Sequence, residues 1–391
     1  MPGFNRVKER QGFNRYARYV LVVICAYSCL LVFTGSAYAA TLGMVVDNQS
    51  DELRLFDIHT STIVASLQGS SSPVSGDCAM SEDESVGFSS HANRSIAVYE
   101  LLSRSGSKDI DISNINISNA GVDMSLSPDG SLLVSVGAGN VYEPLSVIDT
   151  QRRAEIATAE LFLDHTSAEF CDDGTLLVTT TFGHSHTRPF DNAVYDARVS
   201  QDGELQLAGN RLSSGAQPNN ASCAPGSRAG VLLDREGGLT SFTLPGLEKA
   251  DFAELQGATA VAAVFNLTGD RLYVRTSTEV VAFDYNPLNG VMKQDWAQPV
   301  AFSAEYFGID QIAVDLDNGQ VYVDGGQSLL ILEPEQGTQL GAIQTGDATG
   351  VCFAQRQRRT PIVDMAANDL SADTVLTEAA LADPTPTGSA P

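Results

Sequence analysis

Gly183-His184-Ser185-His186-Thr187 sets two imidazoles on one side of an extended segment, because alternate side chains of extended backbone point the same way. Together with His165, these would give the three neutral nitrogens that suit Zn²⁺ or Cu²⁺. Unrelated surface histidines are the competing reading. Asp77, Asp123, Glu169 and Asp310 form a second set, since convergent carboxylates can hold a cation or orient a cationic ligand. Their plainer role would be to line a solvated polar channel. Asp315-Leu316-Asp317-Asn318-Gly319 resembles the start of a calcium loop but lacks the remaining acids and closing Glu of an EF-hand, so it reads as a hairpin turn. No nucleophile elbow, phosphate loop, haem-attachment motif or paired-metal spacing occurs.

The amino end sets the compartment in which such groups would work. Arg6, Lys8, Arg10, Arg15 and Arg18 precede an apolar run from Tyr19 to Phe33, and Ala37-Tyr38-Ala39 supplies the small side chains of a cleavage site. This order predicts a secretory signal peptide over residues 1–39 and a periplasmic or secreted mature chain. The run is shorter than the roughly 20 residues of a membrane helix. Cys29 lies among apolar residues and fits a lipoprotein site poorly. The leader holds 5 of the 23 Lys and Arg and 1 of the 48 Asp and Glu, which leaves the mature chain at −29. That charge repels nucleic acid and anionic membrane and favours cationic or neutral partners, although solubility alone would also account for it.

The elements that position these residues come from a repeat. Apolar alternation ending in a polar residue recurs at Leu53–Asp57, Ile96–Glu100, Leu145–Asp149, Asn192–Asp196, Leu239–Thr243, Val280–Asp284 and Leu329–Glu333. The last positions lie 43, 49, 47, 47, 41 and 49 residues apart. Spacing in the forties marks blades of four strands. Ahead of most copies stands a hairpin signal such as Pro128-Asp129-Gly130, Asp172-Asp173-Gly174 or Asp317-Asn318-Gly319, whose Gly accepts the turn's positive φ. The first repeat lacks its inner strand, and one inner-type strand, Gly350–Ala354, is left over after the seventh. Pairing the two closes an all-β, seven-bladed β-propeller and leaves no exposed edge.

Ser127-Pro128-Asp129-Gly130, then Leu132-Leu133-Val134 and Leu145-Ser146-Val147-Ile148-Asp149-Thr150, resembles the repeat of the YVTN and lactonase-like seven-bladed propellers. The resemblance covers about residues 41 to 355, with Asp83, Ala224 and Leu316 where the pattern is degenerate. That family includes amine-dehydrogenase heavy chains, lactonases and cell-surface proteins, so it implies a fold without an activity.

Strand order then sorts the loops. His91, His165, His184 and His186 fall on one face, His59 falls on the other, and the four acids approach the channel mouth on the histidine side. Cys78, Cys171, Cys223 and Cys352 all lie on inner strands. Blade adjacency would pair Cys78 with Cys352 and Cys171 with Cys223 in an oxidising compartment; buried free thiols are the alternative. Arg356, Arg358 and Arg359 end a propeller domain of residues 40–355, and 356–391 read as a disordered acidic tail. The functional expectation is an exported non-enzymatic propeller binding a small ligand or protein partner on the histidine face. Its rival is a metal-dependent or cofactor-linked enzyme, a lactonase-like hydrolase or an amine-dehydrogenase-like scaffold, using the same face.

Overall fold

The structure is a computed structural model that describes residues 42–47, 52–68, 74–91, 93–101, 111–117, 121–137, 144–159, 164–181, 192–214, 217–226, 228–255, 258–301, 311–315, 318–346 and 348–354. The predicted leader (1–39) and tail (356–391) lie outside these residues. Blade one contains β1 (Leu42–Asp47), β2 (Glu52–Asp57) and β3 (Thr62–Gln68); blade two contains β4 (Val74–Met80), β5 (Val86–His91), β6 (Ser95–Glu100) and β7 (Asp111–Asn116). Blade three is β8 (Gly121–Leu126), β9 (Leu132–Gly137), β10 (Leu145–Asp149) and β11 (Ala154–Ala159); blade four is β12 (Asp164–Phe170), β13 (Thr175–Thr181), β14 (Ala193–Val199) and β15 (Leu205–Ser213). Blade five is β16 (Pro218–Cys223), β17 (Ala229–Asp234), β18 (Gly238–Thr243) and β19 (Glu248–Glu254). Blade six is β20 (Ala260–Phe265), β21 (Arg271–Thr276), β22 (Glu279–Tyr285) and β23 (Met292–Pro299); blade seven is β24 (Ile312–Val314), β25 (Val321–Asp324), β26 (Ser328–Leu332) and β27 (Gln339–Gln344).

The chain's last strand, β28 (Ala348–Phe353), completes blade one in the order β28-β1-β2-β3. It pairs antiparallel with β1, Cys352 facing Met44 and Val351 facing Val45. All seven sheets have four strands, and the ring closes as the sequence predicts.

Blades pack face against face, so the middle strands are buried on both sides. Every residue of β9 and β17 is buried, whereas β11 and β19 alternate or face solvent. The core is therefore seven apolar layers, one in each seam between neighbouring blades. Each fully buried Val, Leu or Phe contributes about 1.5–3 kcal/mol. The seam between blades seven and one stacks Phe56, Tyr322 and Phe353, with centroids 5.0–5.8 Å apart. Gly43 makes room for it: a Cβ there would lie 2.1 Å from the Phe56 ring.

In three repeats the closing acid caps the following turn, while Glu100 and Asp284 pair with Arg153 and Arg271. Asp57 accepts from Thr60 N–H, Asp149 from Gln151 and Arg152 N–H, and Glu333 from Glu335 and Gln336 N–H. Asp196 departs from this pattern. Asp149 faces Leu132, but Asp196 faces Leu177, one step further along its hairpin, and accepts from the backbone and side chain of Asn210. The repeat in blade four is therefore displaced by one residue, where β14 and β15 lose register between Tyr195 and Ala197.

Candidate functional site

Inner strands of adjacent blades diverge from one another, so their edge N–H groups need partners other than a ladder. Asp77 supplies two. Buried without exposure, it accepts from Cys78 N–H at 2.7 Å and reaches across the seam to Met124 N–H at 3.0 Å. Asp123, its equivalent in blade three, accepts from Ala168 N–H of blade four at 2.8 Å. Ser125 accepts from Phe170 N–H at 2.9 Å across the same seam. Between blades four and five Glu169 accepts from Ser222 Oγ and Cys223 N–H, and Asp172 accepts from Gly226 N–H. Asn219 continues the series, donating to the Ala260 and Val261 carbonyls of blade six.

Asp77 and Asp123 thus act as clamps between blades, buried within the wall. Glu169 sits two positions further along its strand, as the penultimate residue of β12, and so faces the opposite mouth from the one expected. Asp310 lies outside the described residues.

The histidines part company. His91 is fully buried at the end of β5, with Nε2 3.2 Å from Ser89 Oγ, which lies 3.0 Å from the Tyr99 hydroxyl. A serine beside an imidazole is the arrangement of a nucleophile and its base. Here Ser89, His91 and Tyr99 are all fully buried, so no substrate reaches them, and burial pushes the Tyr99 phenol up. His91, predicted on a ligand face, is thus turned inward into a hydrogen-bonded group with Ser89 and Tyr99, and Tyr99 packs in the seam with blade one. The backbone of His165 lies in β12, opposite Thr180; His184 and His186 lie outside the described residues. Among the described residues no group of three His, Cys, Asp or Glu is placed to hold a metal. Asp315 shapes a hairpin turn, accepting from Asn318, while Gly319 takes φ 70°.

Both cysteine pairs form disulfides. Cys78–Cys352 ties blade two to the closing strand, with Cα atoms 5.9 Å apart, and Cys171–Cys223 ties blades four and five at 5.5 Å.

The inner strands enclose a channel of about 190 Å³. Its wall is divided: Asp123, Ser125, Glu169, Asn220 and Ser222 come from blades three to five, whereas Ile312, Val314, Val351 and Phe353 face it from blades seven and one. On the side bearing the turns between first and second strands the channel meets a wider mouth of about 750 Å³, and Glu169 and Phe265 line both spaces. Glu82, Asp83, Asp129, Glu169 and Asp172 stand around this mouth with Phe170, Pro128, Pro225 and Leu267. No Lys or Arg lines it among the described residues.

The rim is stiff. Asp129 Oδ1 accepts from Ser127 Oγ, Ser131 Oγ and Ser131 N–H, and Asp83 repeats all three bonds with Ser81 and Ser85. Hydrogen bonds from Ser85 hold the Asp83 carboxyl below its usual value; at Asp129 burial opposes the shift and the serine bonds outweigh it. The Ser-x-Asp-x-Ser spacing was the sequence signal for this rim, and it includes the Asp83 copy that looks degenerate because Glu84 takes the place of Gly130. Glu84 adopts φ 56° against 69° for Gly130.

Solved structures share this architecture. A functionally unknown protein from Desulfotomaculum acetoxidans superposes with a TM-score of 0.70 at 16% identity, covering 81% of this chain and 100% of that one. The periplasmic gluconolactonase of Pseudomonas aeruginosa gives 0.66 at 15%, covering 81% and 99%. This chain has the seven-bladed β-propeller fold. A dihydro-heme d1 dehydrogenase is similar at a TM-score of 0.56 and 10% identity, covering 80% of this chain and 75% of that one, so the fold spans unlike chemistries. No protein-family model and no curated protein matches the chain.

Proposed function

We propose that this chain is an exported, non-enzymatic propeller that binds a neutral or cationic small ligand at the turn-side mouth. The observation that carries the reading is the concave space of about 750 Å³ over the polar arc, opening into the channel at Glu169 and Phe265. Pockets of this size take small ligands, and carboxylates around a mouth without lining cations disfavour anions. Export is supported by the leader-like amino end and by two disulfides.

A thermal-shift screen of sugars, lactones and small amines tests the reading. The expected result is a neutral or cationic ligand whose stabilisation disappears in Leu267→Arg, which places a charged side chain at the rim. Stabilisation by anions alone, or hits indifferent to Leu267→Arg, would overturn it. The likeness to a gluconolactonase makes lactone turnover the assay for the enzymatic rival. Stoichiometric Zn or Cu lost in His184→Ala, His186→Ala would favour the metal-dependent version built on His165, His184 and His186.

A further inference from the structure

The two disulfides differ in what surrounds them. Cys78 and Cys352 are 3% and 9% exposed, packed between blades one and two in the apolar seam of Met44, Met80 and Tyr99 and bordered only by the narrow channel of about 190 Å³. Cys171 is 1% exposed, but its partner Cys223 is half-buried, and both line the turn-side mouth. The second bond also lies at the most heavily clamped point of the rim, since Glu169 grips Cys223 N–H and Asp172 grips Gly226 N–H.

We propose that Cys171–Cys223 is a thiol-exchange site that opens onto the mouth, with Cys223 Sγ as the sulfur attacked. The inference rests on the mouth being the binding site only in its consequence for ligand; the reactivity stands by itself. The co-reactant is a small dithiol. Its thiolate attacks Cys223 Sγ, the S–S bond breaks, and Cys171 leaves as thiolate and takes up a proton. The dithiol's second thiolate then attacks the mixed disulfide, closing a cyclic disulfide and releasing Cys223 as a thiol. Two electrons pass from dithiol to protein, and the blade-four to blade-five seam keeps only its hydrogen-bonded clamps. Cys78–Cys352 survives, so the ring stays latched while one wall of the mouth loosens. The carboxylates around the mouth give the site a charge preference, because an anionic thiol approaches against their field, most strongly at low salt.

Differential alkylation of the native full chain during mild reduction tests this. Dithiothreitol is expected to expose Cys171 and Cys223 to alkylation at least about tenfold faster than Cys78 and Cys352, and glutathione to lag behind dithiothreitol by a margin that shrinks with added salt. Cys171→Ser should leave a Cys223 thiol that reacts with neutral dithiodipyridine, while Cys223→Ser should leave Cys171 unreactive until denaturant is added. Simultaneous labelling of both pairs, earlier labelling of Cys78 and Cys352, or equal reactivity of the two single variants would overturn the proposal. If alkylation follows the expected order but reduction leaves the binding of a screened ligand unchanged, the thiol site stands and the assignment of the ligand to the mouth falls.

Discussion

Blades two to five and blades six, seven and one close the same ring with different chemistry. In the first arc a carboxylate or small polar side chain crosses each seam to a backbone group: Asp77 to blade three, Asp123 to blade four, Glu169 to blade five. In the second arc bulk and cationic groups do the joining. The Pro334 carbonyl of blade seven accepts from Arg271, Tyr273 and Trp296 of blade six, and Arg271 also pairs with Asp284 at 2.6 Å and Asp295 at 2.8 Å. These carboxylates hold the Arg271 guanidinium protonated despite its burial. The stacked rings of Phe56, Tyr322 and Phe353 then join blade seven to blade one. The difference shows that the chemistry of the channel wall follows from how the seams are made. Among the described residues the polar side chains on the channel wall come from the polar arc, and the wide mouth lies mainly over it.

Breaking the apolar arc should cost most. Tyr322→Ala removes a fully buried ring between two others and is expected to destabilise by about 3–5 kcal/mol, read as a lower urea midpoint at unchanged slope. A loss below 1 kcal/mol would mean that the stack contributes little to closure. Asp77→Ala tests the polar arc. It strands the N–H groups of Cys78 and Met124, for an expected loss of about 2–3 kcal/mol, and Asp77→Asn should recover part of it. The smallest effect is the pH dependence of the rim. Hydrogen bonds from neighbouring Ser, Thr and Asn side chains hold the Asp83, Asp129 and Asp270 carboxyls below the usual carboxylate range, against the opposing effect of burial. A depressed folded value means that their contribution is complete above the unfolded value and is lost as pH falls through the folded one. The midpoint should therefore drop modestly between pH 5 and pH 3, and Asp129→Asn should flatten part of that drop. Because Asp270 belongs to blade six, the acid limb samples both arcs, and comparing Asp270→Asn with Asp129→Asn tells them apart.

The fold was legible because its signals are local. Asp-Gly turns, alternation and a leftover strand at Gly350–Ala354 each depend on a few neighbouring residues, and together they dictate seven sheets and their closure. The site was less legible because its partners lie across seams. Counting back from the turns already puts Glu169 two residues out of register with Asp77 and Asp123, but that Asp77 is a buried clamp and Glu169 faces the turn-side mouth follows only from the packed blades. His91 likewise carries no mark of burial in its own strand; Ser89 is already beside it there, but Tyr99, which bonds Ser89, arrives only when β6 pairs with β5. Asp196 shows the limit within the repeat itself, since it stands one step off the position that Asp149 takes against its hairpin although the apolar pattern looks the same.

The pairing of β28 with β1 also imposes a timetable. In a chain that emerges amino end first, β1 appears at once but must wait for residue 348 before it has both neighbours. Cys171 can meet Cys223 after only two blades have formed, whereas Cys78 must wait 274 residues for Cys352. Chain order alone therefore lets the cross-link between blades four and five close first and leaves the one to the final strand until last.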